Sequence, residues 1–167
     1  AALTLAPEAH PGAAVNAGSG RLEPLGQSGG RFTAMAVDGN RLICAQGARL
    51  RIADLEGSGA ATWLGETEML GERVADVVVA GALAYVAAGY DGLQLVDVSS
   101  GTAPIRVGGT RLDAVTGWDG ERIPAALRVS ASGGLAAVVT ADGVQWVDVS
   151  DPTIPRVVGT YASRADP

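Results

Sequence analysis

Few residues in this chain are equipped for chemistry, and the most regular of them are three aspartates. Asp54, Asp97 and Asp148 each close an apolar run. The runs are Arg49-Leu50-Arg51-Ile52-Ala53-Asp54-Leu55-Glu56, Gly92-Leu93-Gln94-Leu95-Val96-Asp97-Val98-Ser99 and Gly143-Val144-Gln145-Trp146-Val147-Asp148-Val149-Ser150. A ring of such carboxylates could bind a cation or a cationic substrate. Alternatively, each could accept hydrogen bonds from backbone N–H groups of the turn that follows it. Recurrence at equivalent places favours the second use, because a scaffold residue appears in every copy whereas a catalytic one is needed once. We therefore read Asp54, Asp97 and Asp148 as buried structural turn carboxylates that pin three corners. Asp38, Asp91, Asp119 and Asp142 all precede glycine and read as turn residues. None of their segments carries the alternating carboxylates and closing Glu of a calcium loop.

The other reactive groups do not combine into a site. His10 is the sole histidine and Cys44 the sole cysteine, which rules out an intrachain disulfide and a Cys/His metal cluster. A triad built on histidine would need His10 to fold back onto a distant strand. Ser99 and Ser150 lack the Gly-x-Ser-x-Gly elbow, and the glycines match neither the phosphate-binding loop nor the dinucleotide fingerprint. Cys44 sits in an apolar run and is expected in the core. The expectation is a protein that is not an enzyme, with no catalytic residue, no metal and no cofactor.

Charge and composition narrow the partners. The formal charge is −6, and all 12 basic residues are arginine. An acidic chain is unsuited to nucleic acid or anionic membranes, which need a basic patch. Hydrophobic residues make up 47% but aromatics only 4%, so the core must be built from Ala, Val and Leu. The longest apolar stretch, residues 77–88, is too short to cross a bilayer and is interrupted by Gly81. The opening Ala1-Ala2-Leu3-Thr4-Leu5-Ala6-Pro7 lacks a charged leader and reads as a start left by signal removal.

The aspartates belong to a repeat that sets the architecture. Eleven residues after each lies Gly65, Gly108 or Gly159, and ten before each lies Cys44, Ala87 or Val138. The spacing is 43 and then 51 residues, the range of four-stranded propeller blades. Strands are expected at 32–37, 41–45, 50–55 and 61–65, then at 73–80, 83–88, 93–98 and 105–110. The third copy places them at 125–131, 135–140, 144–149 and 156–161. Asp-Gly between apolar runs is a strong hairpin signal, because glycine tolerates positive φ. Leu93 and Leu95 lie on one side of their strand, Val96 and Val98 on the other, so both faces should be buried between neighbouring sheets. No helical stretch separates these strands, which excludes a parallel βαβ fold.

The fold class is therefore all-β, with three four-stranded antiparallel blades forming an incomplete ring or part of a larger propeller or assembly. Residues 1–20 read as an extended arm and 21–167 as the repeat domain, with blades at about 32–70, 73–112 and 125–162. Within 21–27, Pro24-Leu25-Gly26 looks like an outer strand without a blade. The longer second spacing reflects an insertion near 111–124 that holds Trp118, Asp119, Glu121 and Arg122. Binding groups concentrate on loops carried by rigid scaffolds, so these four form a candidate partner-contact loop. The alternative is a plain connection with Trp118 folded onto its own blade.

The runs Leu-Gln-Leu-Val-Asp-Val-Ser and Val-Gln-Trp-Val-Asp-Val-Ser resemble the LVIVD-repeat family. So do Ala84-Tyr85-Val86-Ala87 and the endings Pro104…Val107-Gly108 and Pro155…Val158-Gly159. The first copy departs from the pattern, lacking the proline. The resemblance implies a β-propeller-like scaffold, commonly exported or surface-exposed, and not a reaction. The expected function is a non-catalytic, extracellular or cell-surface scaffold for assembly or adhesion, through protein partners or as a homo-oligomer. An accessory subunit of a larger complex is the alternative. A fragment of a propeller hydrolase or lyase is a third, and it would require His, Glu and Arg clustered at strand ends, which the sequence does not show.

Overall fold

Short Ala/Val/Leu runs punctuated by glycine turns leave no room for helices. In the computed structural model, residues 4–5, 31–55, 60–117 and 120–162 are described. Every helix or strand among them is a strand. After β1 (Thr4–Leu5) come β2 (Phe32–Asp38), β3 (Arg41–Gln46), β4 (Arg49–Leu55) and β5 (Ala60–Glu66). A second set follows as β6 (Asp76–Ala80), β7 (Leu83–Ala87), β8 (Leu93–Asp97) and β9 (Ile105–Thr110). A small hairpin, β10 (Val115–Gly117) and β11 (Gly120–Arg122), precedes β12 (Arg128–Ser132), β13 (Leu135–Thr140), β14 (Gly143–Asp148) and β15 (Arg156–Ala162).

Each set of four pairs in chain order as an antiparallel sheet, and β1 adds to the first sheet parallel to β5. The three sheets are propeller-like blades that do not close into a ring. Residues 21–27, expected as a stray outer strand, lie outside the described residues.

Turn chemistry sets the hairpins. Gly39, Gly81 and Gly133 open the two-residue turns after β2, β6 and β12 with φ of 56°, 62° and 59°. A side chain would be strained there. The second hairpin of each sheet differs. Two residues join β3 to β4 and β13 to β14, whereas residues 88–92 join β7 to β8. This corrects the expected equivalence of Cys44, Ala87 and Val138. Arg41, Leu83 and Leu135 sit opposite Asp54, Asp97 and Asp148, so Val86 is the counterpart of Cys44 and Val138. One additional residue in the turn moves Ala87 to the opposite face, because side chains alternate along a strand.

The sheets stack face to face, with β2 beside β6 and β6 beside β12. Ile43, Ala45, Leu50 and Ile52 of the first sheet pack on Ala84, Val86, Val96 and Val98 of the second. The second sheet's other face, with Tyr85, Ala87, Leu93 and Leu95, packs on Ala136, Val138, Val147 and Val149 of the third. Strand β8 is thus buried on both sides, as its sequence requires. Leu95→Ala should lower stability by about 2–5 kcal/mol, since Leu95 is wholly buried. Ile105→Ala, on a residue 63% exposed, should change it by no more than about 0.5 kcal/mol. Urea denaturation of the two variants checks both.

Candidate functional site: corners and faces of the blades

The corners after the third strands show what the repeated aspartates do. Asp97 Oδ1 accepts from the Ser99 N–H at 2.8 Å. Asp148 Oδ1 accepts from the Ser150 N–H at 2.9 Å and from Ser150 Oγ at 2.6 Å. Asp151 repeats the arrangement on Thr153, at 2.9 and 2.6 Å. In each case the donor's side chain, then its backbone N–H, holds the carboxyl below the usual carboxylate range. The expectation that the repeated aspartates are buried is corrected for Asp97 and Asp148, whose carboxylates lie at the surface. A side chain on the last residue of its strand reaches the following turn without entering the core. Asp54 lies opposite Arg41 and Thr62 in β4, half-buried; residues 56–59, its turn, lie outside the described residues.

Two groups that the sequence reading did not single out tie blades together. Arg41 Nη1 donates to the carbonyls of Val98 and Ser99 at 2.8 and 2.9 Å, reaching from the first sheet to the second sheet's corner. The signal in the sequence is an arginine where the other copies have Leu83 and Leu135. Gln145, only 1% exposed, clasps the backbone of Asp113, whose N–H donates to Oε1 at 2.8 Å and whose carbonyl accepts from Nε2 at 2.7 Å. This fixes the start of the insertion on the third sheet. Asp91 also does more than shape its turn. It accepts from the Glu72 N–H at 2.9 Å and pairs with Arg111 at 3.3 Å, while the Glu72 carboxylate accepts from the Tyr90 N–H at 3.0 Å.

The candidate contact loop takes the form of the β10–β11 hairpin. Glu121 lies opposite Thr116 and Arg122 opposite Val115. Trp118 and Asp119 lie outside the described residues.

The repeated glycines mark where one blade meets the next. Each outer strand has a bulge, so that Leu64, Val107 and Val158 are skipped in the pairing just before Gly65, Gly108 and Gly159. A β-carbon on Gly65 would lie 2.6 Å from the Thr102 carbonyl oxygen of the second blade. One on Gly108 would strike the Pro152 carbonyl oxygen of the third. On Gly159 it would meet only the blade's own Trp146, at 3.3 Å. The apolar residues around these glycines follow suit. Leu95 and Ala87 are fully buried, whereas their third-sheet counterparts Trp146 and Val139 are 42% and 40% exposed. At the opposite end Met35 is 64% exposed, against 2% and 6% for its counterparts Val77 and Val129.

A cleft of about 360 Å³ gathers Arg31, Arg73 and Arg128 with Phe32, Thr33 and Leu127. Arg31 and Arg73 stand at equal distances ahead of Met35 and Val77, a regularity visible in the sequence. Three guanidinium groups without a carboxylate among the lining residues suit the cleft to anions. Among the described residues no group of His, Cys, Asp and Glu is placed to hold a metal ion, and no helix is long and apolar enough to cross a membrane.

Stacked four-stranded sheets whose first strands adjoin define a propeller-like repeat protein. Residues 71–110 and 125–163, which hold the second and third sheets, match the LVIVD repeat. Among solved structures the chain is similar to the computationally designed Ika4 protein, with a TM-score of 0.59, 12% identity, and 81% of this chain and 74% of that one covered. It is also similar to the computationally designed Ika8 protein, with a TM-score of 0.58, 12% identity and 78% of this chain covered. There it spans only 36% of the other chain's length. At that identity the likeness shows the fold alone. No curated protein matches the chain.

The lowered carboxyls set a pH dependence. Their folded-state values lie below the unfolded ones, so the stability they contribute is present above the ordinary carboxylate range and is lost as pH falls through the folded values. The melting temperature of the native chain should therefore drop as pH falls from roughly 4 through the lowered folded-state values. A variant with Asp97→Asn, Asp148→Asn and Asp151→Asn should show a shallower drop in thermal melts over that range. Cys44 is 3% exposed, and burial pushes its thiol up against a smaller opposing pull from Arg51. A disulfide reagent should react with it only in step with unfolding, which absorbance in a urea series measures.

Proposed function

We propose that this chain is a non-catalytic repeat scaffold, exported or carried on the cell surface, that assembles with protein through apolar residues left exposed on its outer blades. One observation carries the reading. Side chains that are buried wherever two blades meet, such as Leu95 and Val77, have exposed counterparts in Trp146 and Met35 at the two ends of the stack. Apolar faces of this kind on a sheet mark interaction surfaces. The acidic balance, −6 in all, supports protein over nucleic acid or an anionic membrane as the partner. Export is supported by what the LVIVD resemblance implies, and the scaffold role by carboxylates already engaged in turn bonds at Asp97 and Asp148. Light scattering of the full chain at micromolar concentration should give a mass above the 16.7 kDa of one chain. A well-folded, monodisperse monomer would contradict assembly.

A further inference from the structure

The two junctions inside the molecule are copies of one another, and together they describe what a third junction needs. On the leading side stands a bulged outer strand with a glycine, Gly65 or Gly108, whose missing side chain makes room for a backbone carbonyl of the next blade. Around it lie the bulged residues Leu64 and Val107, both packed into the interblade cores. On the trailing side stand apolar residues of the next blade's first strand, Val77 and Val129, 2% and 6% exposed. The third blade carries the whole leading half. Gly159 occupies the same place in the same bulge, beside Val158 at 59% and Trp146 at 42% exposure, with no neighbouring backbone against it among the described residues. The first blade carries the trailing half, with Met35 and Val37 exposed at 64% and 61% where Val77 and Val79 of the second blade pack into a core.

We propose that the free face of the third blade receives the first blade of a second copy of this chain, in the manner of the two internal junctions. Gly159 admits the incoming backbone, and Val158 and Trp146 pack against Met35 and Val37. The contact is heterologous, since the two surfaces differ, and such contacts close when the rotation allows. Two copies supply six blades, within the range of about 4–8 at which propellers close. The proposal rests on the assembly reading above and assigns it a face and an occupant.

The test is sedimentation velocity on the full chain and three variants across micromolar concentrations, with thermal melts at the lowest. Gly159→Ala should weaken self-association at least tenfold while leaving the melt of the dilute chain nearly unchanged, because only the Trp146 side chain must yield. Val158→Glu, on an exposed bulge, should do the same, and guards against any local cost of the alanine. Met35→Asp should weaken association equally from the other side. Mixing Gly159→Ala with Met35→Asp should restore a one-to-one complex, since each retains the half that the other has lost. Association that persists in all three variants would overturn this junction and leave assembly by another surface standing. Loss of association in the variants without recovery on mixing would overturn the head-to-tail arrangement. A monomeric wild-type chain would overturn both the junction and the assembly reading.

Discussion

Everything in this fold depends on sheets approaching closely enough for backbone to touch backbone. A blade is a thin, mostly aliphatic layer, and with aromatics so scarce, few side chains can bridge a wide gap. The cores are therefore filled by Ala, Val, Leu and Ile, which pack densely only when the layers nearly meet. The outer strands meet this demand with a bulge and a glycine, which bring a carbonyl of the next blade to where a β-carbon would stand. Burial of both faces of β8 and the placement of the Asp97 corner beneath Arg41 follow from the same separation.

Polar contacts in this molecule locate what apolar burial stabilises. Surface carboxylates on Ser99 and Ser150 define the direction in which the chain leaves a third strand. Arg41 and Gln145 satisfy backbone groups of adjoining segments that would otherwise face the interblade seam unpaired. Hydrogen bonds of this sort contribute modestly to stability, but they settle which turn sits over which blade. A repeat of identical layers needs such markers, because apolar faces alone would tolerate sliding.

The strands were legible in the sequence because each is bounded by a turn with its own chemistry. Asp38-Gly39 and Ala80-Gly81 announce hairpins through glycine, and the apolar runs between them have no competing helical period. The register of β7 was not legible. An added residue in a turn leaves the strand's composition unchanged, and Ala87 and Val86 are equally apolar, so only the pairing with Leu93 and Gln94 distinguishes them. The exposure of Asp97 and Asp148 was misjudged, since a periodic pattern gives the face of a side chain and not its depth. Arg41, Gln145 and the arginine cleft escaped because their partners lie outside their own blades. Their positions within single copies carry no sign of the neighbour.

The placement of the second sheet between both cores has a dynamic consequence. Contacts run only between neighbouring layers, so the chain approximates a short one-dimensional array in which opening proceeds inward from its ends. Strands β7 and β8 lose their burial last, because either neighbour can leave while the other still covers one face. Amide hydrogens there should mark the slowest-exchanging unit of the molecule, with the first and third sheets exchanging through cheaper, partial openings. The middle blade is then the element around which the other two can form and dissolve.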